Sequence, residues 1–385
     1  MERINTINPQ RVAWCCADLG LTPEQVAVES GLALDKLRAV LTDEGGLTFA
    51  QLRTLAGYFG RSVLFFLDPD PVDIEQVQTP QFRMLAGQKP ELSRRVRHLV
   101  QRAERQRAVY LDLLEDLDGE ERPRFAPPTL PTALPAAAGQ VRQWLGLNKH
   151  NDFESYRKAV ENKGILVFLT NGYAGKWQIA KESPILGFSL YDPVLPVIVV
   201  KKQDAEARQV FTLMHELGHV LLHRMSSVDD ESDMRATEEG MEHTANQFAA
   251  HLLVPDAFLA TLRDAGRPSD VTRLDEWLSL QRGMWGVSTD VILLRLAGVG
   301  RLPQTAYESY RAWREGQPKR QDDGGSRAYR YREPRHLFGD GFVRTVLGAL
   351  SARHITLNKA SDYLGGLKVD DLHRLERFYK CFSAA

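Results

Sequence analysis

Apolar and polar positions recur with helical period over most of the chain, broken by one block of strand-like runs. Between residues 8 and 67 short helical stretches follow one another. The first spans 8–19, and Thr22-Pro-Glu-Gln-Val starts the second with a capping residue and a proline. Ala27 and Gly31 are the small residues a tight corner between two helices requires, and 33–41 follows as the next helix. Thr48 caps another, and Val63-Leu-Phe-Phe-Leu67 closes a core. Residues 69–80 read as a linker. Residues 91–117 form one amphipathic helix, with Val96, Leu99, Val100, Ala103, Tyr110 and Leu113 on its apolar side and a run of arginines, read as a solvated face, on the others. Prolines at 123, 127, 128, 131 and 135 make a stiff spacer. After a helix over 141–163, the runs 165–169, 177–179, 185–191 and 197–200 are strand-like, divided by Gly, Asn and Pro. Helical spacing then resumes to the end. It is interrupted by a polar, Arg-rich stretch at 317–335 that reads as a mobile loop.

The chemistry concentrates in Phe-Thr-Leu-Met-His-Glu-Leu-Gly-His-Val-Leu-Leu-His, residues 211–223. His215 and His219 sit four apart in a helical stretch, so their side chains stack roughly 6 Å apart and can reach one ion. Glu216 is turned about 100° from His215, beside the ion rather than on it. This is the His-Glu-x-x-His pattern of zinc peptidases, with Glu216 as general base toward a water. A third ligand is needed, and Glu242 is the candidate: Glu242, Asn246, Ala249 and Leu253 form one stripe of a second amphipathic helix ended by Pro255. Asn246 is placed to fix the tautomer of a ligand histidine, and Ala249 to let the two helices approach. Glu238 and Glu239 compete with Glu242, whereas His223, about 12 Å along the helix from His215, does not reach the same ion.

His-Glu-Leu-Gly-His followed by Glu-x-x-Ala-Asn-x-Phe-Ala-x-x-Leu-Leu-x-Pro resembles the ImmA/IrrE family of metallo-endopeptidases, as does the approach through Gly187-Phe-Ser-Leu-Tyr191 and Pro196-Val-Ile-Val-Val200. Lys201 departs from the pattern, standing where an asparagine is expected. The resemblance implies that His215, His219 and Glu242 bind Zn2+ and Glu216 is the base. It also implies that the substrate is a protein of the helix-turn-helix repressor type. A small sheet leading into the metal helix is the zincin plan, and residues 187–190 are expected at the edge where a peptide pairs. Tyr173 and Tyr191 are candidates to face the oxyanion, though neither is assigned. Val287-Ser288 and Arg295-Leu296 match the family's closing helix.

The first 70 residues resemble Cro/repressor-like (XRE) helix-turn-helix domains. The recognition helix offers only Lys36 and Arg38 toward DNA, and acids outnumber bases across the segment. The expected fold class is therefore α+β, mostly helical. It comprises a helix-turn-helix bundle (1–70), a linker with the basic helix and Pro-rich spacer (71–139), a zincin-like peptidase domain with a small mixed sheet (140–312), and a loop with a helical C-terminal region (313–385). Net charge is −1, so no global field recruits nucleic acid or membrane. Three cysteines form no framework, and Cys16 reads as a small core hydrophobe. With no leader or spanning segment, a cytoplasmic protein is expected. The function this predicts is a zinc endopeptidase in a regulatory or stress circuit. The rival is a DNA-binding regulator or antitoxin whose zincin fold recognises a partner. DNA, a cognate toxin and a second copy of the chain are the further partners implied. The tail, 355–375, either contacts nucleic acid or folds back on the enzyme.

Overall fold

The computed structural model of the chain describes residues 3–19, 21–72, 93–117, 124–171, 176–203, 205–233, 240–317 and 327–383. It divides into two compact units, Met1–Arg83 with Leu92–His98, and Met84–Glu91 with Leu99–Ala385.

The first unit pairs a two-residue strand β1 (Arg3–Ile4) with β2 (Leu47–Thr48) around helices α1 (Pro9–Asp18), α2 (Pro23–Ser30), α3 (Leu34–Leu41), α4 (Phe49–Phe59) and α5 (Val63–Leu67). Side-chain oxygens start these helices: Asn8 on α1, and reciprocal capping boxes of Thr22 with Gln25 and Thr48 with Gln51. Gly31 ends α2 at φ +73°, a left-handed turn that sets the corner before α3. Val12, Cys16, Val26, Leu37, Leu52, Leu55 and Phe66 fill the core. Both neighbouring thiols are buried, and burial pushes the Cys15 thiol up to about 12, so Cys15 and Cys16 act as small hydrophobes. On α3, Arg38 is held by Glu24 at 2.6 Å rather than standing open.

In α6 (Arg94–Asp116) the arginines are not all a solvated face. Arg97 donates to the Asp18 carbonyl, Arg102 to that of Lys176, and Arg107 meets Asp192 at 3.4 Å. Helices α7 (Leu134–Leu145) and α8 (Phe153–Glu161) precede the sheet. The sheet runs β3 (Leu166–Leu169), β5 (Val197–Val200), β4 (Ile185–Leu190), β6 (Ser227–Asp230). β3 and β5 are parallel, and β4 is antiparallel to both its neighbours. The first three strands are buried at every position, which accounts for their largely apolar runs.

Two sequence expectations about the sheet are corrected. Residues 187–190 are not at an edge, because β6 returns to pair along β4. Residues 177–179 contribute only an isolated bridge, Asn171 to Gln178. Lys201 closes β5 in a way the sequence did not suggest: its ammonium is buried and donates to the carbonyls of Lys181 and Ser183, tying down the turn before β4.

Beneath the sheet lies α9 (Glu206–Gly218), continued by a π-helical turn over His219–His223 and crossed by α10 (Met241–Leu253). The two helices meet at small residues. A Cβ on Gly218 would lie 3.2 Å from the Phe248 ring and 3.4 Å from Ala245 Cα. After short helices α11 (Asp256–Leu259), α12 (Leu274–Trp277) and α13 (Ser279–Trp285) comes α14 (Thr289–Gly298), started by Ser288. Arg295 on α14 is buried, not a surface residue. Its Nε donates to the Val254 carbonyl at 3.0 Å and it pairs with Asp256, while Arg142 donates to the Leu252 carbonyl. Together they satisfy the open carbonyls at the end of α10 and fix that helix.

The C-terminal region, α15 (Gln304–Glu315), α16 (Glu333–Ser351), α17 (Leu357–Tyr363) and α18 (Val369–Ser383), packs back on the sheet domain. Phe338 and Phe342 pack edge-to-face against Phe168 of β3, and Phe338 likewise against Trp177. Residues 327–335, expected in a loop, are helical. α16 breaks at Gly339 (φ 82°), and buried Arg157 gathers the carbonyls of Arg335, His336 and Leu337 just before the break, together with that of Val167. No described helix is long and apolar enough to cross a membrane.

Candidate metal centre

The packing of α9 against β4 buries its chemistry. His215, Glu216 and His219 are all within 2 % of full burial. The two histidines face each other as helical spacing requires, Nε2 to Nε2 at 3.0 Å. Glu242, at the start of α10, brings Oε2 to 3.3 Å from His215 Nε2 and 3.4 Å from His219 Nε2. The structure thus assembles the three expected ligand residues. Glu238, Glu239 and Tyr173 lie outside the described residues. Tyr191 follows β4, and its backbone N–H donates to Ser226 Oγ.

Glu216 lies where strand and helix come closest. A Cβ on Gly187 would stand 2.8 Å from Glu216 Oε1 and 2.8 Å from Thr212 Cγ2, so only glycine lets the carboxyl lie flat against β4. Asn246 donates to the Asp233 carbonyl at 2.9 Å. Its Oδ1 and the Nδ1 of His215 are both buried without a hydrogen-bond partner, so the expected bond from a ligand histidine to Asn246 is not formed in this structure. His219 is held differently. The π-turn brings His223 Nδ1 to 3.0 Å from His219 Nδ1, on the far side of the ring from Glu242. His223 therefore misses the ligand cluster, as its distance along the helix predicts, but orients one of its members. If His219 held a metal through Nε2, its proton would sit on Nδ1, where neutral His223 could accept it.

One member of the cluster escaped the sequence reading. Asp229 on β6 is buried, with Oδ2 at 3.4 Å from His215 Nε2 and 3.7 Å from His219 Nε2. The ligand atoms of His215, His219, Asp229 and Glu242 lie within 4.8 Å of one another. Burial alone would depress His215, but the Asp229 and Glu242 carboxylates outweigh it and bring it up to about 9. Burial works against ionised Asp229 and Glu242, yet the two imidazoles hold both below the usual carboxylate range. Glu216 is pushed well above it, first by burial and then by the Asp229 charge.

Three carboxyl groups and two imidazoles in one buried place make a site that favours a cation. Asp229 Oδ2 and Glu242 Oε2 are buried without hydrogen-bond partners, as oxygens meant for a metal would be. Imidazole nitrogens with carboxylate oxygens are also a donor set that first-row divalent metals accept. A mostly helical α+β domain in which a helix carries His-Glu-x-x-His under a small mixed sheet is a zincin-like metallopeptidase fold. Residues 161–297 match the family model of the IrrE N-terminal-like domain, peptidase family M78, which supports a metallopeptidase of the IrrE/ImmA type. No curated protein matches the chain.

Proposed function

We propose that the chain is a zinc-dependent endopeptidase of a regulatory circuit, cleaving a helix-turn-helix repressor-type protein and carrying a helix-turn-helix regulatory module at its N-terminus. His215, His219 and Glu242 would hold the zinc. When bound, the ion supplies Lewis acidity, making water a stronger acid and polarising a peptide carbonyl. Glu216 would take the water's proton and pass it to the leaving amine. His223 would keep His219 in the tautomer that binds. The observation that carries the reading is the seat of Glu216. A carboxyl buried beside the histidine pair, in a space kept open by Gly187, has no role in a purely structural zinc site.

A second reading is favoured by Asp229: a fourth protein ligand suits a regulator or antitoxin whose metal serves stability and partner binding. DNA, a toxin and a second copy of the chain belong to that reading as partners, and Lys36 and Arg38 are the bases α3 would bring to DNA.

Glu216→Gln separates the two. Wild type and variant are expressed beside candidate repressors, and cleavage is followed by intact mass. The variant is expected to keep its zinc and thermal stability while proteolysis falls at least ~10²-fold, the lower end of what a placed general base supplies. Equal cleavage by both proteins removes Glu216 from the mechanism. No cleavage by either, with equal protection of cells from a neighbouring toxin, favours the regulator.

A further inference from the structure

β6 also borders the metal centre, bringing Asp229 Oδ2 to 3.4 Å from His215 Nε2. Directly paired residues of neighbouring strands share a face of the sheet, and Asp229 stands opposite Gly187, the residue pressed against Glu216. The missing side chain at 187 leaves room for both carboxyls. The β4–β6 register shifts between Ile185 and Gly187, the kind of irregularity that re-aims a side chain. Asp229 Oδ1 accepts from Ser227 Oγ at 2.7 Å, which turns Oδ2 toward the histidines.

The spacing of the four ligand atoms is informative. Four ligands at about 2.0–2.1 Å around a tetrahedral zinc stand about 3.3 Å apart. Here His215 to His219 is 3.0 Å, Glu242 is 3.3 and 3.4 Å from them, and Asp229 is 3.4 and 3.7 Å from them. Asp229 is spaced from the histidines much as Glu242 is. All four ligand atoms lie within 4.8 Å of one another, so Asp229 is placed to turn its oxygen to the ion that the two histidines and Glu242 would hold. The backbone of β6 is equally placed. It fills the edge of β4 beside Glu216, the edge an extended peptide would take to pair directly with β4. Ser-Val-Asp-Asp is poor strand material, and only Val228 adds apolar burial, so β6 is held in this position mainly by its backbone pairing with β4 and by Asp229.

We propose that Asp229 is the fourth ligand of the metal centre and that β6 occupies the substrate edge, so that this conformation is the closed form of the peptidase. Opening requires β6 to leave β4, which frees one metal position and one strand edge together. The proposal rests on the zinc-peptidase reading.

The test uses the full-length chain loaded with Co2+, whose visible spectrum reports its ligands, and acetohydroxamate as a small metal-directed probe. Asp229→Ala opens the position, and Asp229→Asn keeps the shape and the acceptor for Ser227 should alanine disturb the fold. Both variants are expected to bind the metal at least ~10-fold more weakly than wild type. Both are expected to bind acetohydroxamate at least ~10-fold more tightly, with a spectral change that wild type does not show at the same concentration. If wild type takes up the metal and binds acetohydroxamate as tightly as both variants, the closed form is refuted and the peptidase reading stands. If wild type binds no divalent metal, the peptidase reading fails and takes the proposal with it.

Discussion

Single residues decide how close α9, which carries His215 and Glu216, comes to the sheet. Gly187 is the sharpest case, because an added Cβ would meet Glu216 Oε1, Thr212 Cγ2 and the Val199 carbonyl, the last at 3.0 Å. Two of the three neighbours are tightly packed or backbone atoms that cannot swing away. Gly187→Ala is expected to cost about 1–3 kcal/mol by overpacking, read as a lower urea midpoint, and to reduce proteolysis more than zinc content, since Glu216 and not a ligand is displaced. Unchanged stability and activity would mean that the strand moves freely away from α9. Residues of this kind also mark the limit of the sequence. His215, Glu216 and His219 were legible because helical period alone brings them together, and Glu242 because it opens the apolar stripe of the second helix in the spacing that the family resemblance shares. Asp229 was not, because its place depends on a strand pairing across 42 residues from Gly187, and Ser-Val-Asp-Asp carries no alternation or β-branched run to announce a strand. The Asn246 partnership, argued from the same stripe as Glu242, is not formed; its amide turns to the Asp233 carbonyl instead.

At the level of elements, helices were easier to read than strands. Caps at Asn8, Thr22, Thr48 and Ser288 lie where side-chain oxygens precede apolar periodicity. The sheet order was not legible, since nothing local says that β6 rather than β4 ends the sheet on that side. Nor was the burial of Arg295 and Arg157, whose partners are carbonyls at distant helix ends. α3 bears on the partner question. Its Arg38 is paired with Glu24 on the surface, an interaction worth little and easily exchanged for a phosphate. If this helix carries DNA binding, Lys36→Ala with Arg38→Ala weakens binding and lowers its salt slope by about two, one for each phosphate no longer neutralised. A double variant that binds as wild type does, with the same slope, takes α3 out of any DNA binding.

For the whole molecule, the family match spans 161–297, while the C-terminal helices beyond it close the outer side of the same sheet through Phe338, Phe342 and the Arg157 carbonyl cluster. The proposed ligands come from α9, its π-helical continuation and α10, and Arg142 and Arg295 fix the end of α10, so the metal site and the fold of this unit would depend on each other. On the proposed function, His215, His219 and Glu242 together hold one zinc per chain. Zinc titration of the metal-free protein against a competing chelator measures this directly. Wild type is expected to bind about one equivalent, and His215→Ala, His219→Ala and Glu242→Ala each to bind at least ~10²-fold more weakly. Full occupancy at wild-type affinity in Glu242→Ala would contradict it.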